Sequence, residues 1–274
     1  MARTDARNIF ISDEDRDKLS ETYGGVIESV QKGAVSEQIK NKNYSGDPAS
    51  GSVEISRFVN SQVKDQGTAR AGGKGDKLLN KPVTVNVDTD KEIVEEFNKT
   101  DLRLHGVTGI AEKRKGNHSK RMEAYLDREF FNCAETEGTE FTMTGETIIE
   151  KLESLILNVE TTNNEYVDGV DRDLLVLTVK PTIYSKVKNY INEVSNSLTG
   201  VTDKIFNDVR IFSNHRQTKD AICMIDGAVA QPVVTDEYDV EKIPLSNNYG
   251  LELFFSKGTK AIMPDLIKYA NLGE

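Results

Sequence analysis

Tryptophan is absent from this 274-residue sequence, and cysteine (two), histidine (three), methionine (five) and proline (six) are all scarce. Each scarcity narrows the function. With aromatics at 7% of the chain, the sequence advertises no large aromatic-lined ligand cavity. Cys133 and Cys223 sit inside the apolar patterns FFNCAE and AICMID, which reads as two buried free thiols in a reducing compartment. His105 and His118 are separated along the chain and His215 stands alone in SNHRQT, so each reads as a surface or polar-loop residue. No H-E-x-x-H, C-x-x-C or H-x3–5-H occurs, and neither a metal site nor a cofactor is expected. There is no G-x-S-x-G elbow, and the apolar helical spacing around Cys133 favours packing over nucleophilic chemistry. Asp168, Asp171 and Asp173 lack the spacing of a calcium loop and read as a solvated turn. Catalysis is therefore not expected. No apolar run reaches the roughly 18 residues that a membrane span needs, and the first residues carry no signal-peptide core. A soluble, cytosolic chain is the expectation.

What is present is acid. Net charge is −10, from 45 acidic and 35 basic residues, so the whole surface cannot coat nucleic acid, which requires concentrated Lys and Arg. The one dense basic cluster is AEKRKGNHSKR, with Lys113, Arg114, Lys115, Lys120 and Arg121. It reads as a solvated loop and helix entry, or as a face for an acidic partner, another subunit or nucleic acid. A glycine-rich stretch, QVKDQGTARAGGKGDKLLNKPVTV, imitates a phosphate loop. The match fails: Lys74 comes one residue late, Gly75 replaces the hydroxyl residue, and both flanks alternate like half-buried strands. The better reading is a long hairpin of strands 52–64 and 82–88 with a flexible, positively charged tip.

Along the chain, residues 1–45 carry one weak helical stripe (Leu19, Tyr23, Val26, Val30) interrupted by Gly24 and Gly25, too little to fold alone. NYSGDPASGS is a hinge, and 90–107 reads as extended. A long helix follows over about 119–137, with Ser119 as cap, Met122, Leu126, Phe130 and Cys133 on one face, and Gly138 as its end. A second helix, capped by Thr144, carries Ile148, Leu152, Leu155, Ile156 and Val159. LLVLTV is a strand buried on both faces, and Pro181 opens a helix lined by Ile183, Val187, Tyr190, Ile191 and Val194. After residue 200 the pattern is β. The fold class is α+β.

This order of parts resembles the major capsid protein of tailed bacteriophages, the Johnson or Hong Kong phage-type fold. The likeness covers essentially the whole chain and lies in order and texture. DREFFNCAETEG looks like the family's spine-helix ending, and DGVDRDLLVLTVKPTIYSKVKNYI like its axial-domain strand turning into a helix. KDAICMIDGAVAQPVVTDEYDVEKIPLSNNYGLELFFSKGTKAIMPD looks like its closing strands. The resemblance implies an N-terminal arm (1–49), an E-loop hairpin (50–88), a peripheral domain with spine helix (89–143), an axial domain (144–250) and a C-terminal strand returning to the body (251–274). It implies a non-enzymatic structural protein that assembles through pentamers and hexamers into an icosahedral shell around viral DNA, contacting that DNA weakly. It further implies a separate scaffolding protein, a portal and decoration proteins as partners, no membrane, and a place in the virion capsid after assembly in the host cytoplasm. The E-loop would cross a neighbouring subunit, with Phe58 and Val59 as anchors and Lys64, Arg70, Lys74 and Lys77 meeting acidic surface. A nanocompartment shell of the same fold is the nearest alternative, and an unrecognised soluble enzyme the more distant one.

Overall fold

The computed structural model describes residues 13–66, 76–195, 205–244, 246 and 248–272. Its organising element is α3 (Lys99–Glu137), which begins well before the expected Ser119. The extended segment expected over 90–107 is a strand, β3 (Thr89–Asn98), only as far as Asn98. There the Asn98 side chain accepts from the backbone N–H groups of Thr100 and Asp101 at 2.8 and 3.0 Å and caps the helix. Ser119 lies inside the helix, its hydroxyl donating to the Lys115 carbonyl at 2.9 Å. Glycines and charges in HGVTGIAEKRKGNH hide this first half from a periodicity reading. They also leave a break. Gly106 sits at φ 69°, ψ 167°, a left-handed conformation that glycine adopts without steric cost, and kinks α3 there.

Helix α1 (Asp13–Gly33) runs through Gly24 and Gly25 without the expected interruption. Leu19, Val26 and Val30 are buried in one cluster with Ala111, Met122 and Leu126 of α3. That burial outweighs a propensity cost of about 1 kcal/mol per glycine. A segment too weak to fold alone thus rests on its own chain. Short α2 (Val35–Ile39) follows, and Asp127 of α3 caps it from outside, accepting from the Ser36 backbone N–H at 2.9 Å.

Two sheets lie along α3. One is antiparallel, with β11 (Asn248–Lys257) between β3 and β10 (Val233–Lys242). Tyr249, Leu251, Leu253 and Phe255 alternate along β11 and bury one face against α1 and the first half of α3. The other sheet has six strands in the order β4 (Thr139–Glu140), β13 (Ile267–Ala270), β8 (Ala221–Ile225), β5 (Leu175–Val179), β7 (Val209–Ser213) and β6 (Ile205–Phe206). Every residue of β5 is buried, as its unbroken apolar run predicts. Leu175, Leu177 and Val179 face a core shared with α4 (Ile148–Glu160) and α5 (Pro181–Ser195). Val176 joins Phe130, Phe131 and Ala134 of α3 on the opposite side. Helices on both faces explain the continuous pattern. The expected stripe of α4 is buried at Leu152, Leu155, Ile156 and Val159, but its cap is Thr147, in a reciprocal capping box with Glu150, rather than Thr144. Ile183 and Val187 of α5 are buried as expected, and the side chains of Tyr190, Ile191 and Val194 lie outside the described residues.

The expected long hairpin is mostly not a ladder. β1 (Ser52–Ile55) and β2 (Val83–Asn86) pair antiparallel over four residues each. Beyond them, among the described residues, only a bridge between Phe58 and Asn80 continues the pairing. Residues 60–66 and 76–80 are exposed, so neither face of a longer ribbon has a layer to bury against.

Candidate inter-subunit surface

The hairpin has a fastened root and an unsupported limb. At the root, Arg57 donates to both carboxylate oxygens of Asp265 at 2.6 and 2.8 Å and stacks its guanidinium 3.7 Å from the centre of the Tyr166 ring. Lys81 bonds Glu165 at 2.7 and 2.9 Å, and each holds the other's charged form: Lys81 is pushed up and Glu165 down from their ordinary values. The Asn60 N–H donates to the Glu165 carbonyl at 2.9 Å. Gly258, directly after β11, completes the seat. A Cβ on it would lie 2.0 Å from the Asn86 carbonyl oxygen, so only glycine lets the chain leaving β11 approach the end of β2.

Past the root, the chain exposes what it cannot cover. Phe58 is 50% exposed, Leu79 53%, Leu78 79% and Val63 fully so. Four apolar side chains of this size on one limb make an exposed apolar surface, a candidate for contact with another chain. Of the residues expected to act here, Phe58 is on this surface and Val59 is half-buried, its N–H bound to the Leu79 carbonyl. Lys64 pairs with Asp76 across the same limb at 2.5 Å, and that hydrogen bond holds the Asp76 carboxyl below its ordinary value. Lys77 is exposed, and Arg70 and Lys74 lie outside the described residues. Val63, Leu78 and Leu79 escaped the sequence reading. The signal was LL inside GDKLLNKP, an apolar pair with no alternation to bury it.

The basic cluster is not a loop. All five residues lie on α3, which divides them between its faces. Arg114 turns inward to grip Glu95 of β3, and Lys115 passes over Gly25 of α1 near Glu28. Lys113, Lys120 and Arg121 are exposed, with the Lys113 Nζ 3.1 Å from the His105 ring. His118 corrects the surface expectation: its side chain is fully buried, with Nε2 3.1 Å from Glu95. His215 is exposed, and Asp168, Asp171 and Asp173 are in an exposed turn. Both thiols are free. Cys223 is buried and Cys133 partly so, and burial pushes each thiol up to about 12. Among the described residues no group of three or more His, Cys, Asp or Glu could hold a metal ion, and no helix is long and apolar enough to cross a membrane.

No protein-family model and no curated protein matches the chain by sequence. Solved structures do match by shape. A structure from Mycobacterium phage Che8 gives a TM-score of 0.61 at 14% identity, over 81% of this chain and 84% of that one. The capsid structure of the cyanophage P-SCSP1u gives 0.58 at 10% identity, over 85% of both chains. The crystal structure of a virus-like particle from Pyrococcus furiosus gives 0.57 at 13% identity, over 92% of this chain and 99% of that one. The fold of this chain is the phage capsid fold that its order of elements resembles.

Proposed function

We propose that this chain is a structural shell protein, assembling through pentamers and hexamers into an icosahedral capsid that encloses viral DNA. The observation that carries this reading is the hairpin limb: rooted by Arg57 and Lys81, it presents Phe58, Val63, Leu78 and Leu79 to a surface that its own chain does not supply. A second copy of the chain supplies it in a closed assembly, where one contact repeats at every symmetry-related position. Covering such a side chain fully is worth about 1.5–3 kcal/mol, and each subunit both gives and receives a limb. The exposed basic residues Lys113, Lys120 and Arg121 belong to a partner-facing surface in the same scheme, meeting acid on neighbours. Scaffolding, portal and decoration proteins are the further partners. DNA is held loosely, because a chain of net charge −10 repels phosphate on average.

The test is electron microscopy of the concentrated protein, alone and with lysate from its source, beside the variant Phe58→Ser/Leu78→Ser/Leu79→Ser. Shells, tubes or rings from the wild type and none from the variant are expected. Subunit stability should be unchanged within about 0.5 kcal/mol, because these residues are exposed. Uniform small particles from the wild type under both conditions, or normal shells from the variant, would overturn the reading. The match to the virus-like particle, which covers 99% of that chain, favours one second reading: a nanocompartment shell around protein cargo. Nucleic acid or protein inside purified shells separates the two.

A further inference from the structure

The seam between β3 and the first half of α3 contains a buried histidine, His118, on which one carboxylate and one guanidinium act. Glu95 of β3 accepts from Arg114 through both of its oxygens, and one of these lies 3.1 Å from the His118 Nε2. The His118 side chain is fully buried, whereas that of Glu95 is 28% exposed. Beside the seam is a cleft of about 410 Å³ lined by Glu95, Glu96, Phe97, Ile110, Arg114 and Leu251. Ahead of it stands the kink at Gly106. Strand and helix are therefore joined here through one shared carboxylate, next to a space into which either can shift, on a helix already broken one turn beyond the cleft.

We propose that His118 makes this seam acid-sensitive: protonation of its ring parts β3 from the first half of α3 and opens the adjoining cleft, while the six-stranded sheet stays closed. An imidazolium there would be a second cation on a carboxylate that Arg114 already occupies, carried by a ring that is itself fully buried. The groups around the ring agree. From β3 comes Glu95, and from α3 itself comes Arg114. Burial lowers the His118 pKa below its ordinary 6.5 against the pull of Glu95, and Arg114 lowers it further. The closed seam therefore binds a proton less readily than the parted one. Its stability is complete above about pH 6.5 and falls as the pH drops below that value. Glu95, held below its ordinary 4.5 chiefly by Arg114, stays ionised through this window and does not cause the change.

The inference does not depend on assembly and is tested on the full chain by hydrogen–deuterium exchange, corrected for intrinsic rates, at about pH 7.5 and about pH 5.5. Acid should lower protection in 91–97 and 107–121 severalfold relative to β5 and β8, in the direction set by the lowered His118 pKa. His118→Gln, which cannot take up a proton, should show the same protection at both pH values. An equal loss throughout the chain, no loss, or the same local loss in His118→Gln would refute the proposal. Should that variant not fold, the imidazole titration of the wild-type protein decides by NMR. A His118 midpoint below 6.5 is expected, and one above it means that protonation tightens the seam.

Discussion

At the scale of single residues, the side chain with most invested in the fold is Asp127. Fully buried on α3, its carboxylate accepts from the Ser36 backbone N–H at 2.9 Å, the Ser36 hydroxyl at 2.6 Å and the Arg216 guanidinium at 2.5 Å. Arg216, itself only 14% exposed, also bonds Glu123 at 3.0 Å. One carboxylate thus caps α2 and ties the turn after β7 to α3. Removing Asp127 leaves two Ser36 donors unsatisfied away from water and Arg216 with Glu123 as its remaining carboxylate. Asp127→Ala should cost about 3–5 kcal/mol in urea unfolding. Asp127→Asn should cost less, because its amide oxygen still accepts from Ser36. Equal stability of Asp127→Ala and wild type would mean that the site rehydrates without penalty.

At the scale of elements, the hairpin shows how a weak unit is held in place. Four ladder pairs and one bridge cannot order a limb whose faces are bare. The bonds from Arg57 to Asp265 and from Lys81 to Glu165 carry that task at its base. The sheltered hydrogen bonds of Arg57 to Asp265 are of the charged kind worth about 1.5–3 kcal/mol, whereas the Lys81–Glu165 pair is half exposed and screened by solvent. Arg57→Ala should therefore loosen the limb without unfolding the body. Limited proteolysis within 56–81 should accelerate by about tenfold, while the midpoint of global unfolding moves little. A large fall in global stability, with unchanged clipping, would assign Arg57 to the core instead.

At the scale of the molecule, α3 is the common wall of two sheets. Met122 and Leu126 serve the core beneath the three-stranded sheet, and Phe130, Phe131 and Ala134 serve one face of the six-stranded sheet. A helix shared in this way couples the cores, so the chain should unfold in one transition despite its two sheets. Phe130→Ala removes a fully buried ring that packs edge-on against Phe131 at 5.2 Å. It should cost about 3–5 kcal/mol and shift circular dichroism and tyrosine fluorescence together. Separate transitions for the two probes would show that α3 does not couple them. A body rigid in this sense, with one protruding limb, suits the repeated limb-on-body contact of the proposed shell.

The sequence by itself determined the elements whose reasons are local. The burial of β5 on both faces, the stripe of α4, the start of α5 at Pro181 and the end of α3 at Gly138 follow from side-chain pattern and backbone chemistry within one segment. The order of these elements was enough to suggest the capsid fold. Four outcomes were settled only by distant partners. α1 runs through two glycines because α3 buries its stripe. The cap of α2 is supplied by Asp127, far along the chain. The dense basic cluster divides because Arg114 finds Glu95 across the seam, and His118 is buried by the same approach. The exposed apolar face of the limb was half legible: Phe58 stood out in the sequence, while Val63, Leu78 and Leu79 did not. Their exposure depends on which layers the rest of the chain fails to place over them. Local pattern states what a segment prefers; burial is a relation between segments, and only the tertiary structure decides it.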